Sequence, residues 1–243
     1  MFREERWPEK EGVKPWAIYG AVVLSAFVIM PAAAGSGPSA EPTAVAYVGC
    51  SISTQAVRGY ELEGGVGMWS PPSAFDGQGQ IGVYPGGTPL LWSMALDRPD
   101  FLPYWREFDE MQAARPARAV WWQVCVRRDD PLPASLSAAQ RVLGEVHRRI
   151  PGATVYVSAV PEYEVPTEVL GAAGAERAQA IADALVTRGL AEVGPTLPEI
   201  EPRHLLPDAT HFNEAGERLH GLVLLSFFGA GAESIVMPRT VAA

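Results

Sequence analysis

Lysine is nearly absent from this chain. Lys10 and Lys14 are the only two, and every later basic side chain is arginine. Residues 1–35 hold four basic and four acidic side chains, which cancel. The remaining 15 Arg face 24 Asp and Glu, and that excess is the whole net charge of -9. No basic cluster survives beyond the first residues, which excludes a nucleic-acid-binding surface. An acidic surface also gives no attraction to anionic lipid. Cysteine is scarce as well. Cys50 and Cys125 stand alone, and with four scattered histidines they lack the ligand spacing of a zinc site. No internal repeat or low-complexity block is visible. At 48% hydrophobic and 19% charged, the composition is that of a globular protein. The length of 243 residues suits one domain with an appendage.

The appendage is visible near the start. Trp16 to Ala34 runs nineteen residues without a charge, interrupted only by Ser25 and Pro31. At helical rise that length spans a bilayer core of about 30 Å. Four Lys/Arg precede it, and Gly35 to Ala40 carries none, so the positive-inside bias predicts a cytoplasmic segment over 1–15 and export of the rest. Ala32-Ala33-Ala34-Gly35 is also compatible with a signal-peptidase site. The fifteen residues before the apolar run are half charged, which favours an uncleaved anchor over 16–34. Residues 35–43 are small, polar and Pro-rich and read as a linker. The predicted main domain, 44–243, is therefore extracytoplasmic, in the periplasm or at the cell surface. In that setting two cysteines leave two states open, a disulfide or two free buried thiols.

Within the domain, short apolar runs predict buried parallel strands at Ala44–Val48, Ala119–Val126 and Thr154–Val160. Helices are expected from Ser53 to Gly59, Leu102 to Ala114, Ser137 to Ile150 (started by Ser135 or Ser137), Ala172 to Leu190, and from a cap at Asn213 to about Phe228. Residues 63–90 are dense in Gly and Pro and read as a long surface loop, of a kind usually tied to function. Strands alternating with helices predict an α/β fold with a parallel sheet covered on both faces. Ligands bind such sheets beyond the C-terminal strand ends.

Two short stretches carry the chemistry. Gly49-Cys50-Ser51 places a serine just beyond the first strand. Asp208-Ala209-Thr210-His211 places a carboxylate three residues before a histidine. A serine hydroxyl is a weak nucleophile at neutral pH. It needs a histidine to take its proton, and the histidine needs a carboxylate to hold its tautomer. Ser51, His211 and Asp208 supply one candidate for each role. Ser51 at a helix start would also present a backbone N–H to a developing oxyanion. The bland alternatives are an N-cap serine and a surface histidine.

In type, order and separation these two blocks resemble those of the SGNH, or GDSL, hydrolases, and Asn213 and Gly216 extend the second one. The resemblance spans roughly residues 44–228. It implies a flavodoxin-like three-layer α/β/α sandwich with Ser51 as nucleophile, His211 as base and Asp208 as its orienting partner. It needs neither a metal nor an organic cofactor. It departs from the family pattern in the middle. Cys50 stands where the family usually has Asp. The block supplying an oxyanion-hole glycine has no unique match, Gly86 and Gly87 being the candidates. The Gly-x-Asn-Asp block is absent. Its place reads Gln123-Val124-Cys125-Val126-Arg127, where the Gln123 amide and Arg127 are the available donors.

Three functions follow. The first is a membrane-anchored serine esterase acting on an ester-bearing small molecule or polysaccharide. The second is an O-acyltransferase on exported polysaccharide. The third is an inactive SGNH-like domain serving as an accessory subunit to membrane-protein partners. Trp121 and Trp122 read as core. Trp69, Trp92, Tyr104 and Trp105 look more exposed and divide between helix packing and carbohydrate stacking. His147 reads as solvated and His220 as structural; His204, seven residues before His211, is within sequence reach of the site but reads as lying outside it. Arg127 to Asp130 reads as a solvated turn.

Overall fold

The computed structural model describes residues 44–70 and 86–229. The predicted anchor at 16–34, the linker and most of the Gly/Pro-rich loop lie outside the described residues. Among the described residues no helix is long and apolar enough to cross a membrane.

The sheet holds four parallel strands in the order β1 (Ala44–Val48), β2 (Ala117–Val124), β3 (Thr154–Ala159) and β4 (Glu192–Val193). β1 is buried along its whole length, as its continuous apolar run requires of a strand covered on both faces. Its free edge is met by Met68. Val45 N–H donates to the Gly67 carbonyl at 2.8 Å, and Trp69 N–H donates to the Val45 carbonyl at 2.9 Å.

The helices fall into two packed groups. α1 (Ser51–Leu62) packs on α6 (Glu214–Phe228). α2 (Pro89–Asp97) packs on α3 (Tyr104–Ala114) and α4 (Leu132–Arg149), and α4 packs on α5 (Gly174–Thr187). The α1–α6 crossing is unusually close because glycines face each other there. A Cβ on Gly59 would sit 1.8 Å from the Glu217 carbonyl oxygen, and one on Gly221 would sit 2.0 Å from the Gly59 carbonyl carbon. That contact brings the start of α6, and the loop before it, onto the helix that begins at Ser51.

Several boundaries differ from the sequence expectation. β2 begins and ends two residues early, because Ala117 already pairs with Ala44, and Cys125 and Val126 have left the ladder. α4 starts at Leu132, not at Ser135 or Ser137. Pro133 is tolerated in its first turn, where no helical partner for the N–H is needed, and Ser135 lies buried inside the helix. α2 was hidden beside the Gly/Pro-rich stretch. Thr88-Pro89 is an N-cap followed by N1 proline, a start signal masked by its surroundings. Asn213 does cap α6, accepting from Gly216 N–H at 3.1 Å.

Candidate active site

Ser51 is the first residue of α1, directly past the turn that ends β1. Its backbone N–H is one of the amide donors that an α-helix leaves unpaired at its start. Gly49 has to be glycine. A Cβ there would lie 1.9 Å from Ser53 Oγ. Ser53 in turn accepts from Cys50 N–H at 2.9 Å and donates to Gln123 Oε1 at 2.6 Å, locking the turn onto β2. The chain there is also tied covalently. Cys50 and Cys125 form a disulfide with Cα atoms 6.3 Å apart, which resolves the two states left open by the sequence.

His211 and Asp208 come from the loop before α6. Ser51 Oγ lies 2.8 Å from His211 Nε2, and His211 Nδ1 lies 2.6 Å from Asp208 Oδ2. An ionised carboxylate only accepts, so Nδ1 carries the proton and Nε2 is left to accept from the serine hydroxyl. Asp208 Oδ1 also accepts from the backbone N–H of Thr210 at 3.0 Å and of His211 at 2.9 Å. Burial alone would raise the Asp208 pKa, but these bonds from His211 and Thr210 outweigh it and hold the carboxyl below its usual value. The loop is tight enough to force Ala209 to φ 53, a left-handed conformation costing an alanine about 1–2 kcal/mol. Bonds from Ala209 N–H to the Leu206 carbonyl and from Leu206 N–H to the His211 carbonyl offset it. Tyr163 braces the loop from outside, donating to the Thr210 carbonyl at 2.9 Å; burial, then the Asp208 charge, pushes its phenol well above the ordinary range, so it stays a donor.

Sequence reasoning overlooked Gln55. It is fully buried one turn beyond Ser51 on the same face of α1. Its Nε2 donates to the Phe212 carbonyl at 2.7 Å, and its Oε1 accepts from Phe212 N–H at 2.9 Å. The residue following His211 is thereby clamped to the helix that carries Ser51. The four-residue spacing was readable; the partner 157 positions away was not.

The oxyanion candidates separate. Gly87 N–H is committed to the Gly49 carbonyl at 2.7 Å. Gly86 lies against Ser51, where a Cβ would sit 3.4 Å from its backbone nitrogen, and its carbonyl is held by Tyr104 Oη at 2.8 Å. Gln123 is fully buried behind the turn, accepts from Ser53, and does not line the cavity at Ser51.

That cavity holds about 330 Å³ and is walled by Ile52, Leu91, Val169, Leu170 and the disulfide, with Thr54, Thr88 and Thr210 as polar spots. Trp69, Trp92 and Trp105 are buried rather than exposed, so they take the packing role of the two left open. Trp92 Nε1 donates to the Gly49 carbonyl at 2.8 Å, and Trp92 packs against Tyr104 and Trp105 with ring centroids 5.0 Å apart. The cluster buttresses the Gly86–Gly87 corner. Trp121 and Trp122 are core as expected, and His147 is exposed. His204 does not line the cavity. It sits behind the loop, its carbonyl accepting from Asn213 N–H. Among the described residues no group of three or more His, Cys, Asp or Glu is placed to hold a metal ion.

His220 is structural and carries a pH signature. It is fully buried, stacks on Phe212 at 4.4 Å between centroids, and donates from Nδ1 to the Gly216 carbonyl at 2.9 Å. Burial pushes it down to about 4, from an unfolded value of about 6.5. The unfolded chain thus takes up a proton at a pH where the folded protein does not. Stability therefore rises with pH between about 4 and 6.5, by up to roughly 3 kcal/mol from this residue. Glu217, raised by burial, works in the opposite sense over part of that window. Urea midpoints at pH 4.5 and 7 should converge in His220→Gln relative to wild type; an unchanged difference would rule His220 out as the cause.

No family model matches the chain, and no curated protein matches it. Among solved structures it is similar to a family two carbohydrate esterase from Clostridium thermocellum in complex with cellohexaose. The two are 14% identical with a TM-score of 0.48, over 76% of this chain and 62% of that chain.

Proposed function

We propose that this protein is a serine hydrolase of SGNH-like fold that cleaves carboxylic esters through an acyl-enzyme. The observation that carries the proposal is the hydrogen-bonded line from Ser51 Oγ through His211 to Asp208, at 2.8 and 2.6 Å. Ser51 Oγ attacks the ester carbonyl carbon while His211 Nε2 takes its proton. Ser51 N–H and Gly86 N–H receive the oxyanion. His211 then returns the proton to the departing alkoxide, and a water activated by the same imidazole releases the acid. Asp208 stays ionised and stabilises the imidazolium. The strand order supports the fold assignment. With the Met68 segment counted at the edge of β1, the order along the sheet is 2-1-3-4-5 in chain sequence, as in flavodoxin-like sheets. We also place the domain outside the cytoplasm on the 16–34 anchor. The charge-free run and the positive residues before it support this, and so does a disulfide, which belongs to an oxidising compartment.

A fluorophosphonate probe tests the reaction class directly. Stoichiometric labelling at the Ser51 peptide, absent in His211→Ala, is the expected result. A folded protein that takes no label would instead fit the accessory-subunit reading. Transfer to a sugar hydroxyl rather than water would appear as acylated carbohydrate among the products.

A further inference from the structure

The cavity at Ser51 has an unusual charge balance for so acidic a chain. Among the described residues that line it there is no Asp or Glu, and the one permanently charged side chain among them is Arg127. By contrast, the larger cavity of about 530 Å³ between β3 and α5 is lined by Glu162, Glu176, Asp183 and Glu199, with no Lys or Arg among the described residues that line it. Arg127 is also uncommitted. Its guanidinium makes no ion pair or hydrogen bond among the described residues, although two carboxylates follow it in sequence. Asp129 pairs with Arg128 at 3.6 Å, and Asp130 Oδ2 accepts from the Arg127 backbone N–H at 3.0 Å. The loop beneath is fixed, because Arg177 donates to the carbonyls of Arg127 and Arg128 at 2.9 and 3.0 Å. Arg141, Arg148, Arg149 and Arg218 are all engaged with carboxylates. Arg127 is thus exposed on a braced loop, beside an apolar cavity, with no side-chain partner among the described residues, and the planar fork of a guanidinium matches carboxylate or phosphate.

We propose that Arg127 binds an anionic group carried by the ester substrate, while Ile52, Leu91, Val169 and Leu170 take its carbon skeleton. This rests on the hydrolase reading above and names the substrate class of that same site: an ester bearing a carboxylate or phosphate. The anion can sit on the acyl or on the alcohol side, and two probe pairs distinguish these. Mono-p-nitrophenyl glutarate against p-nitrophenyl butyrate places it on the acyl side. 4-Acetoxybenzoate against phenyl acetate places it on the alcohol side. The full chain in detergent should favour the anionic member of one pair by roughly 10- to 100-fold in kcat/KM, mainly through KM, the size of one charge-assisted contact. The preference should fall toward parity in Arg127→Gln, reverse in Arg127→Glu, and weaken with added salt. Neutral esters hydrolysed with no anionic preference in either pair would overturn this inference and leave the hydrolase reading intact. An equal drop in kcat for both members of a pair in Arg127→Gln would also overturn it, since that is the signature of an oxyanion donor. Hydrolysis of no ester at all would remove the hydrolase reading and this inference together.

Discussion

Ser51→Ala is expected to lower hydrolysis of short p-nitrophenyl esters by roughly 10⁴- to 10⁶-fold, the scale seen when a serine nucleophile is removed from such a constellation. The reason is geometric. Nothing else within the Ser51–His211–Asp208 line is a nucleophile, and the imidazole would be left with no hydroxyl to deprotonate. The fold should persist. Ser51 occupies the first position of α1, where alanine is a good helix former, and the turn is held by Cys50, Ser53 and Gln123 rather than by the Ser51 side chain. Only the hydrogen bond to His211 is lost, worth about 1 kcal/mol. The urea midpoint should therefore move little while kcat collapses. Asp208→Asn should follow with a smaller loss, because the imidazole would keep its place but not its tautomer. Unchanged turnover in Ser51→Ala would mean that the Ser51–His211 bond is structural.

The second large effect is on stability. Reducing or deleting the Cys50–Cys125 bond is expected to cost about 4 kcal/mol. The bond closes a loop of 75 residues, and restricting so long a loop in the unfolded chain is worth that much in the loop-entropy treatment. The site should feel the loss early. Cys50 directly precedes Ser51, and the bond ties the start of α1 to the residue just past the end of β2. The double variant Cys50→Ala/Cys125→Ala should therefore unfold at much lower urea than wild type. Wild type treated with dithiothreitol should move to the same midpoint, while the variant should not respond to the reductant. A midpoint for the variant within experimental error of oxidised wild type would refute the estimate.

Much of this architecture is legible in the linear chain because its signals are local. β1 coincides with the apolar run Ala44–Val48, and α6 begins where Asn213 caps it. The strands on either side of α4 follow from composition and spacing alone. The errors also have local causes. The Thr88-Pro89 start of α2 is masked by the adjoining Gly/Pro-rich stretch, and Ser135 and Ser137, both good cap residues, point to a later start for α4 than the Leu132 at which it begins. The tryptophans looked exposed because amphipathic spacing says which face of a helix is apolar, not what lies against it. Packing of α2 on α3 buries Trp92 and Trp105.

Residue chemistry and order alone named a serine, a histidine and a carboxylate, because each role demands a particular functional group and both blocks are short. Whether these groups meet is a matter of contacts across about 160 residues of chain, to which a linear reading is blind. The glycine-lined crossing of α1 and α6, the Gln55 clamp on Phe212 and the left-handed Ala209 bring His211 onto Ser51. The same long-range packing committed the Gln123 side chain to Ser53 and the Gly87 N–H to the Gly49 carbonyl, joined Cys50 to Cys125, and left the Arg127 side chain beside the cavity with no partner among the described residues. Those outcomes depend on which backbone donors are already spent and which side chains fill the space, and only the folded chain settles that.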